Sequence, residues 1–312
     1  MMISRNGMSS SHIARLAFAA ALAGATPAAL AAQMGDMPGM AGMHHDHPPV
    51  ALTPAVKKQI DSVVKATVPL GAPGAAEAAG FHPAFGWIPT MGEHWVARAL
   101  MMNGRQTDRG KPSQLMFSKI AGHDSLVGAA YGYMTAVGDT VRPVLFDGAP
   151  MWHEHQDLAP QGLTLVMLHV WFVPSPDGPF AGTNPNLPFW AVGLGTLDSA
   201  RMHRDAAYDS RVRRASLALG AVVDTGSILS NLERRPETGA AIRARRDSVR
   251  ALIPQLLTAQ KSKDTARWDA LAEQTAKQWD GMYAAYLGAA RTKDGHDRIE
   301  RYVEMLLGHH GE

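Results

Sequence analysis

Residues 113–133, SQLMFSKIAGHDSLVGAAYGY, decide the fold. Two apolar, β-prone runs, Gln114–Ile120 and Leu126–Met134, flank the turn-rich link Ala121-Gly122-His123-Asp124. Such a pattern predicts an antiparallel hairpin with His123 near its tip. Working outward, Trp95–Met101 is expected to be a further strand. Thr164–Val173, β-branched and aromatic, is expected to be a central one. Trp87, Trp95, Trp152, Trp171 and Trp190 all fall in this region. Pro174–Pro188, rich in Pro, Gly and Asn, is expected to be an ordered loop. Before the sheet, Thr53-Pro54 supplies an N-cap and an N1 proline for a helix carrying Ile60, Val63 and Val64 and ending at Pro69. A short helix is expected at Gly74–Ala79.

Beyond about Ser199 the period changes. Val212, Ala215, Leu219, Val222, Gly226, Leu229 and Leu232 follow helical spacing. So do Trp268, Leu271, Thr275, Trp279, Met282 and Tyr286. Ile242, Val249, Leu252, Ile253 and Leu256 make a third stripe, with a kink or break expected at Pro254. Ile299, Tyr302, Val303 and Leu306 make a fourth. Arg243, Arg245, Arg246 and Arg250 are expected on a solvated face. The fold class is therefore α+β: a mostly antiparallel sheet module with an N-terminal helix, followed by a C-terminal four-helix bundle. The boundaries expected are 1–31, 32–50, 51–198 and 199–312.

The first of these segments is an address. Arg5 and Arg15 precede the apolar run Leu16–Ala25, then Pro27 and Ala29-Leu30-Ala31, the features of a secretory signal cut after Ala31. The run is shorter than the roughly 20 residues needed to span a bilayer. With no Cys there is no lipoprotein anchor, so a periplasmic or extracellular protein without a spanning segment is expected.

The 312 residues include 14 His and 17 Met but no Cys. Thiolate zinc sites, iron–sulfur clusters, disulfides and Cys nucleophiles are thereby excluded. A formal charge of +2 gives no reason to expect nucleic acid. The segment 33–49, QMGDMPGMAGMHHDHPP, spaces Met34, Met37, Met40 and Met43 three apart and adds His44, His45 and His47. Gly and Pro prevent regular structure there. Thioether sulfur suits Cu(I), and imidazole suits Cu(II), zinc and nickel, so the tail is a candidate for metal capture.

A second ligand set lies in the sheet module: His94 in MGEHWV, His153 and His155 in WHEH, and His169 in LHVW. If Trp152–His155 is extended, His153 and His155 project to one side. His169, mid-strand among apolar residues, needs partners for both ring nitrogens. A metal on one and a carbonyl or carboxylate on the other would satisfy it. His82, before Pro83, and His123 carry less weight.

In this order the segments GFHP at 80–83, MGEHWV, SQLMFSKIAGHDSLVGAAYGY, WHEH and LHVWFVPSPDGPFAGTNPNLPF at 168–189 resemble those of a group of uncharacterised bacterial secreted proteins. The resemblance covers roughly residues 55–195. It implies a secreted module built around these histidines and brings no reaction with it.

Three functions follow from these residues. The first is a periplasmic metal-binding protein, with copper first and zinc or nickel as alternatives. The second is a structural or partner-binding module whose histidines are hydrogen-bonded core groups. The third is a His-ligated metalloenzyme with Glu154 or Glu93 as general base. No H-E-x-x-H, G-x-S-x-G or P-loop is present.

Overall fold

A computed structural model describes residues 52–102, 104–105, 107–148, 152–155, 158–223 and 233–307. The signal segment and the Met/His tail fall outside these residues. The chain opens with α1 (Pro54–Thr67), where the Thr53 side chain accepts from the Val56 amide at 3.2 Å. This is N-capping by a hydroxyl followed by proline at N1. A 3₁₀ turn (Val68–Leu70) leads to α2 (Pro73–Ala78).

The sheet follows. Its strands are β1 (His82–Ile88), β2 (Gly92–Val96), β3 (Gln114–Ile120), β4 (His123–Ala136), β5 (His153–His155) and β6 (Leu163–Trp171). They lie in the order β1-β2-β3-β4-β6-β5, and the pairings are antiparallel. Ala121 and Gly122 join β3 to β4 with φ of 50° and 84°. Positive φ at both turn positions matches the right-handed twist of the flanking strands. His123 is the first residue of β4, paired with Ile120, and is exposed.

Strand alternation sorts the sheet into two faces. On one face Leu115, Ala129, Tyr131, Leu168 and Val170 point into apolar clusters, where α1 contributes Val56, Ile60 and Val63. On the other lie His94, Val96, Gln114, Met116, Gly128, Ala130, Gly132, Met167, His169 and Trp171, in register across β2, β3, β4 and β6.

Two expectations are corrected. The strand expected at Trp95–Met101 begins earlier and ends at Val96, and Arg98–Met102 forms the short helix α3. Ala-Leu-Met-Met are good helix formers, and the turn before Gly92 starts the strand sooner. Likewise Pro174–Pro188 is not wholly loop, because its end enters α4 (Asn186–Ala191). Pro188 sits in the first turn of that helix, where it costs no internal hydrogen bond.

The helical region comprises α5 (Ser199–Arg204), α6 (Ala206–Val223), α7 (Pro236–Ser262), α8 (Thr265–Ala289) and α9 (Lys293–Leu307). Helix α7 runs through Pro254 without a break. The expected stripes are its interior: Val212, Ala215, Leu219, Ile242, Val249, Leu256, Leu271, Trp279, Met282, Tyr286, Ile299 and Val303 are buried together. Gly226, Leu229 and Leu232 lie outside the described residues. Arg246 departs from the expected solvated face. It is 5 % exposed and donates from both Nη atoms to Glu233 at 2.7 Å, and Tyr286 Oη donates to the same carboxylate.

The helices dock on the loops of the sheet region. Thr90 Oγ1 donates to the Leu306 carbonyl at 3.0 Å and Ser216 Oγ to that of Pro185 at 2.8 Å. Arg213 grips Asp177 through both Nη atoms, at 2.6 and 3.0 Å. Among the described residues no helix is long and apolar enough to cross a membrane.

Candidate functional site

The floor of the site is β4. Its residues on the histidine face are Gly128, Ala130 and Gly132, which together carry a single methyl group. A Cβ on Gly128 would meet Met116 Cε at 2.4 Å and the Val170 carbonyl oxygen at 2.7 Å. One on Gly132 would meet Gln114 Nε2 at 2.7 Å. Side chains from both sides of β4 therefore use the space that larger residues would fill.

His94 enters from β2 and His169 from β6. Their strands are three steps apart, about 14 Å in a flat sheet at the usual spacing. Yet His94 Nε2 and His169 Nε2 are 3.3 Å apart. The sheet must therefore curl around its small-residue floor to bring them together. Both residues are buried, with 3 % and 1 % exposure. His153 and His155 come from the edge strand β5, opposite Met167 and Leu165, and so face the same side. The ring centroids of His153 lie 4.9 Å from those of both His155 and His169. All four histidines expected from the sequence are thus brought into one cluster.

The hydrogen bonds around His169 assign its tautomer. Its Nδ1 lies 2.8 Å from the Gly182 carbonyl oxygen, which only accepts. Nδ1 therefore carries a proton, and Nε2 is the ring nitrogen that faces His94. The loop that presents Gly182 is held by two amides. Asn184 and Asn186 each donate from Nδ2 to the Pro174 carbonyl at 3.0 Å, and Asn186 Oδ1 accepts from the Leu197 amide.

Burial pushes the pKa of His94 down to about 4, helped by the charge of His155 and opposed by the Gly92 backbone. The ring is therefore neutral at pH 7. Its Nδ1 is buried without a partner in strict hydrogen-bonding geometry, although the Gly92 backbone lies near enough to act on the ring. Gln114, 1 % exposed on the same face, has its Oε1 buried in the same condition. An unsatisfied buried polar atom costs about 1–3 kcal/mol, so each calls for an explanation. Gln114 was not among the residues expected from the sequence. Its signal was there: a polar amide at an alternation position between the buried Ser113 and Leu115.

Neither proposed general base reaches this face. Glu154 alternates away from His153 and His155 and pairs with Arg142. Glu93 alternates away from His94 and accepts from Trp95 Nε1 at 2.9 Å. His82 is exposed, its Nδ1 3.9 Å from Glu77.

Among the described residues, the group with three ligand atoms mutually within 4.8 Å is His296, Asp297 and Glu300 on α9; no three of the four sheet imidazoles meet that spacing. The α9 group was also unforeseen, although H-D-x-x-E places its ends one helical turn apart. It is accounted for by pairing along the helix, since Asp297 holds Lys293 at 2.6 Å and His296 faces Glu300 at 3.3 Å. Lys293 holds the Asp297 carboxyl below the usual range.

No protein-family model matches the chain, and no curated protein or solved structure matches it.

Proposed function

We propose that the protein is a secreted metal-binding protein in which His94, His153, His155 and His169 hold one ion and the Met/His tail collects it. The carrying observation is the 3.3 Å approach of two buried Nε2 atoms, one of them on a ring whose Nδ1 is committed to a carbonyl. With metal–imidazole bonds of about 2.0–2.1 Å, two ligands of a tetrahedron stand about 3.3–3.4 Å apart. A carbonyl behind a ligating imidazole is the usual arrangement for orienting it. His153 and His155 complete the donor set after side-chain rotation. Copper is favoured over zinc and nickel because the tail couples thioethers to imidazoles, a pairing that serves both copper oxidation states. Secretion rests on the signal pattern of residues 1–31 and on the resemblance to secreted proteins.

The test is elemental analysis of the full chain after copper loading and dialysis. Replacing His94, His153, His155 and His169 by Ala should remove one equivalent of metal and leave the tail's share. Replacing Met34, Met37, Met40, Met43, His44, His45 and His47 should do the reverse. Unchanged metal content in the four-histidine variant defeats the assignment.

A second reading draws on the spacing of the imidazoles, no three of which have ligand atoms within 4.8 Å of one another. In it the histidines are a hydrogen-bonded core. Thermal stability would then be unaffected by copper or chelator, whereas an ion bound only by the native state raises it.

A further inference from the structure

We propose that Thr90 is a positioning residue for the His94–His169 pair and that it couples this pair to the docked end of α9. The coupling needs no ion, and its consequence for metal binding rests on the reading above. Thr90 sits in the turn between β1 and β2, which the Met91 amide closes on the Ile88 carbonyl at 3.0 Å. Its φ is 65°, a conformation that β-branched residues avoid. Such backbone persists only where its surroundings hold it. Here three contacts do so around a buried residue. The Thr90 hydroxyl donates to the Leu306 carbonyl at 3.0 Å. The Thr90 carbonyl accepts from the Asn184 amide at 2.6 Å. Pro89 beside it lies against Gly220 of α6, where an added Cβ would meet Pro89 Cβ at 2.7 Å.

Each histidine is reached from Thr90 by a short path. Along the chain, Thr90 leads to Gly92, whose φ of 74° opens β2 and whose backbone acts on the His94 ring. Through the Asn184 amide, it leads to the loop that presents the Gly182 carbonyl to His169 Nδ1 at 2.8 Å. One residue is thus tied into both arms that bring Nε2 to Nε2 at 3.3 Å. The third path leads out to α9. The last carbonyls of a helix have no partner within it. In α9 that of Leu306 is taken by Thr90 and that of Leu307 by Arg213, at 3.3 Å. Arg213 and Ser216 of α6 also hold the loop, at Asp177 and at the Pro185 carbonyl. Shifting the end of α9 therefore pulls on the turn that carries His94 and on the loop that orients His169. By linkage the reverse holds: whatever fixes the two imidazoles also tightens the end of α9.

The experiment uses the full chain with the seven tail ligands replaced. Amide hydrogen exchange reads the last turn of α9, with α7 as control. A nuclear Overhauser contact between the two rings reads the imidazole pair. Thr90→Val keeps the branch and removes the hydroxyl. It should speed exchange at the end of α9 about fivefold, the factor one hydrogen bond of ordinary net strength supplies. It should also weaken the ring contact and leave α7 unchanged. Thr90→Ser, which keeps the hydroxyl, should restore both readings. Cu(II) added to the parent should slow exchange at the end of α9 by about fivefold or more. Faster α9 exchange with an unchanged ring contact makes Thr90 a helix cap alone and overturns the proposal. An increase that spreads over α7 marks a residue of general stability and overturns it too, as does no change in either reading. Copper held by the histidines, seen as imidazole nitrogen couplings in EPR, overturns the coupling if α9 exchange stays as it was. Absent nitrogen couplings defeat the metal reading alone, and the metal-free measurements still decide the coupling.

Discussion

The helical region and the histidine face of the sheet treat polar groups by opposite rules. In the helices, charges are matched. Arg201 chelates Asp269 at 2.6 and 2.9 Å, Arg211 meets Glu273, Arg214 meets Asp280, and Arg246 meets Glu233. Arg246 Nε is the only buried side-chain polar atom among the described helical residues that lacks a partner. On the histidine face, His94 Nδ1 and Gln114 Oε1 have no partner in strict hydrogen-bonding geometry among the described residues. Matched charges fix how helices pack. Unsatisfied neutral donors and acceptors gathered on a floor of glycine and alanine are what a ligand would complete. The difference separates the helices, where side chains pair with one another, from the face on which the proposed metal would sit.

The sharpest way to break this contrast is Arg246→Ala. It leaves Glu233 and Tyr286 facing each other in a buried site, and breaking such a pair typically costs about 3–5 kcal/mol. Urea unfolding should show that loss while copper stoichiometry is unchanged. A loss of metal without a loss of stability would reverse the assignment of the two regions.

Next in size is the pH dependence of the metal-free protein. His94 is held at about 4 in the fold against 6.5 for a free imidazole, so the unfolded chain binds its proton first. Stability from this group is complete above pH 6.5 and is lost as pH falls toward 4, by about 3 kcal/mol. In His94→Phe the slope between those pH values should flatten. An unchanged slope would mean that His94 does not remain neutral in the fold.

Gly128→Ala tests the floor. The added methyl meets the Val170 carbonyl oxygen, which cannot rotate away, as well as the flexible end of Met116. Overpacking of this kind costs about 1–3 kcal/mol. Copper affinity should fall at least tenfold, because β4 and β6 must separate. The smallest effect is expected for Asp269→Asn, which weakens a partly exposed ion pair and should shift stability by about 1 kcal/mol or less. Calorimetry would read it, and a larger loss would mark this pair as part of the bundle's core.

Much of the architecture was legible. The alternation in Gln114–Ile120 and Leu126–Met134 and the Ala121-Gly122 turn gave the hairpin. The stripes through Val212, Ile242, Leu271 and Ile299 gave the bundle. These signals are local, because side-chain periodicity reports which face of an element is buried. Arg246 was misplaced because its partner Glu233 precedes the helix and its pairing follows no i,i+4 rule. Of the kink or break expected at Pro254 the break does not occur, because packing against the neighbouring helices outweighs one missing N–H.

The candidate site was legible in its members and not in its geometry. H-x-H placed His153 and His155 on one side, and an imidazole amid Leu168, Val170 and Trp171 announced a need for partners. The Gly182 carbonyl fills one of the two roles anticipated for His169. Composition and pattern by themselves determined the α+β class and limited any soft or imidazole donors to Met and His, since the chain has no Cys. The tertiary structure decided which imidazoles meet and which carboxylates are turned away. Strand order and sheet curl are non-local, and here they depend on three small residues of β4 that match no metal-ligand motif.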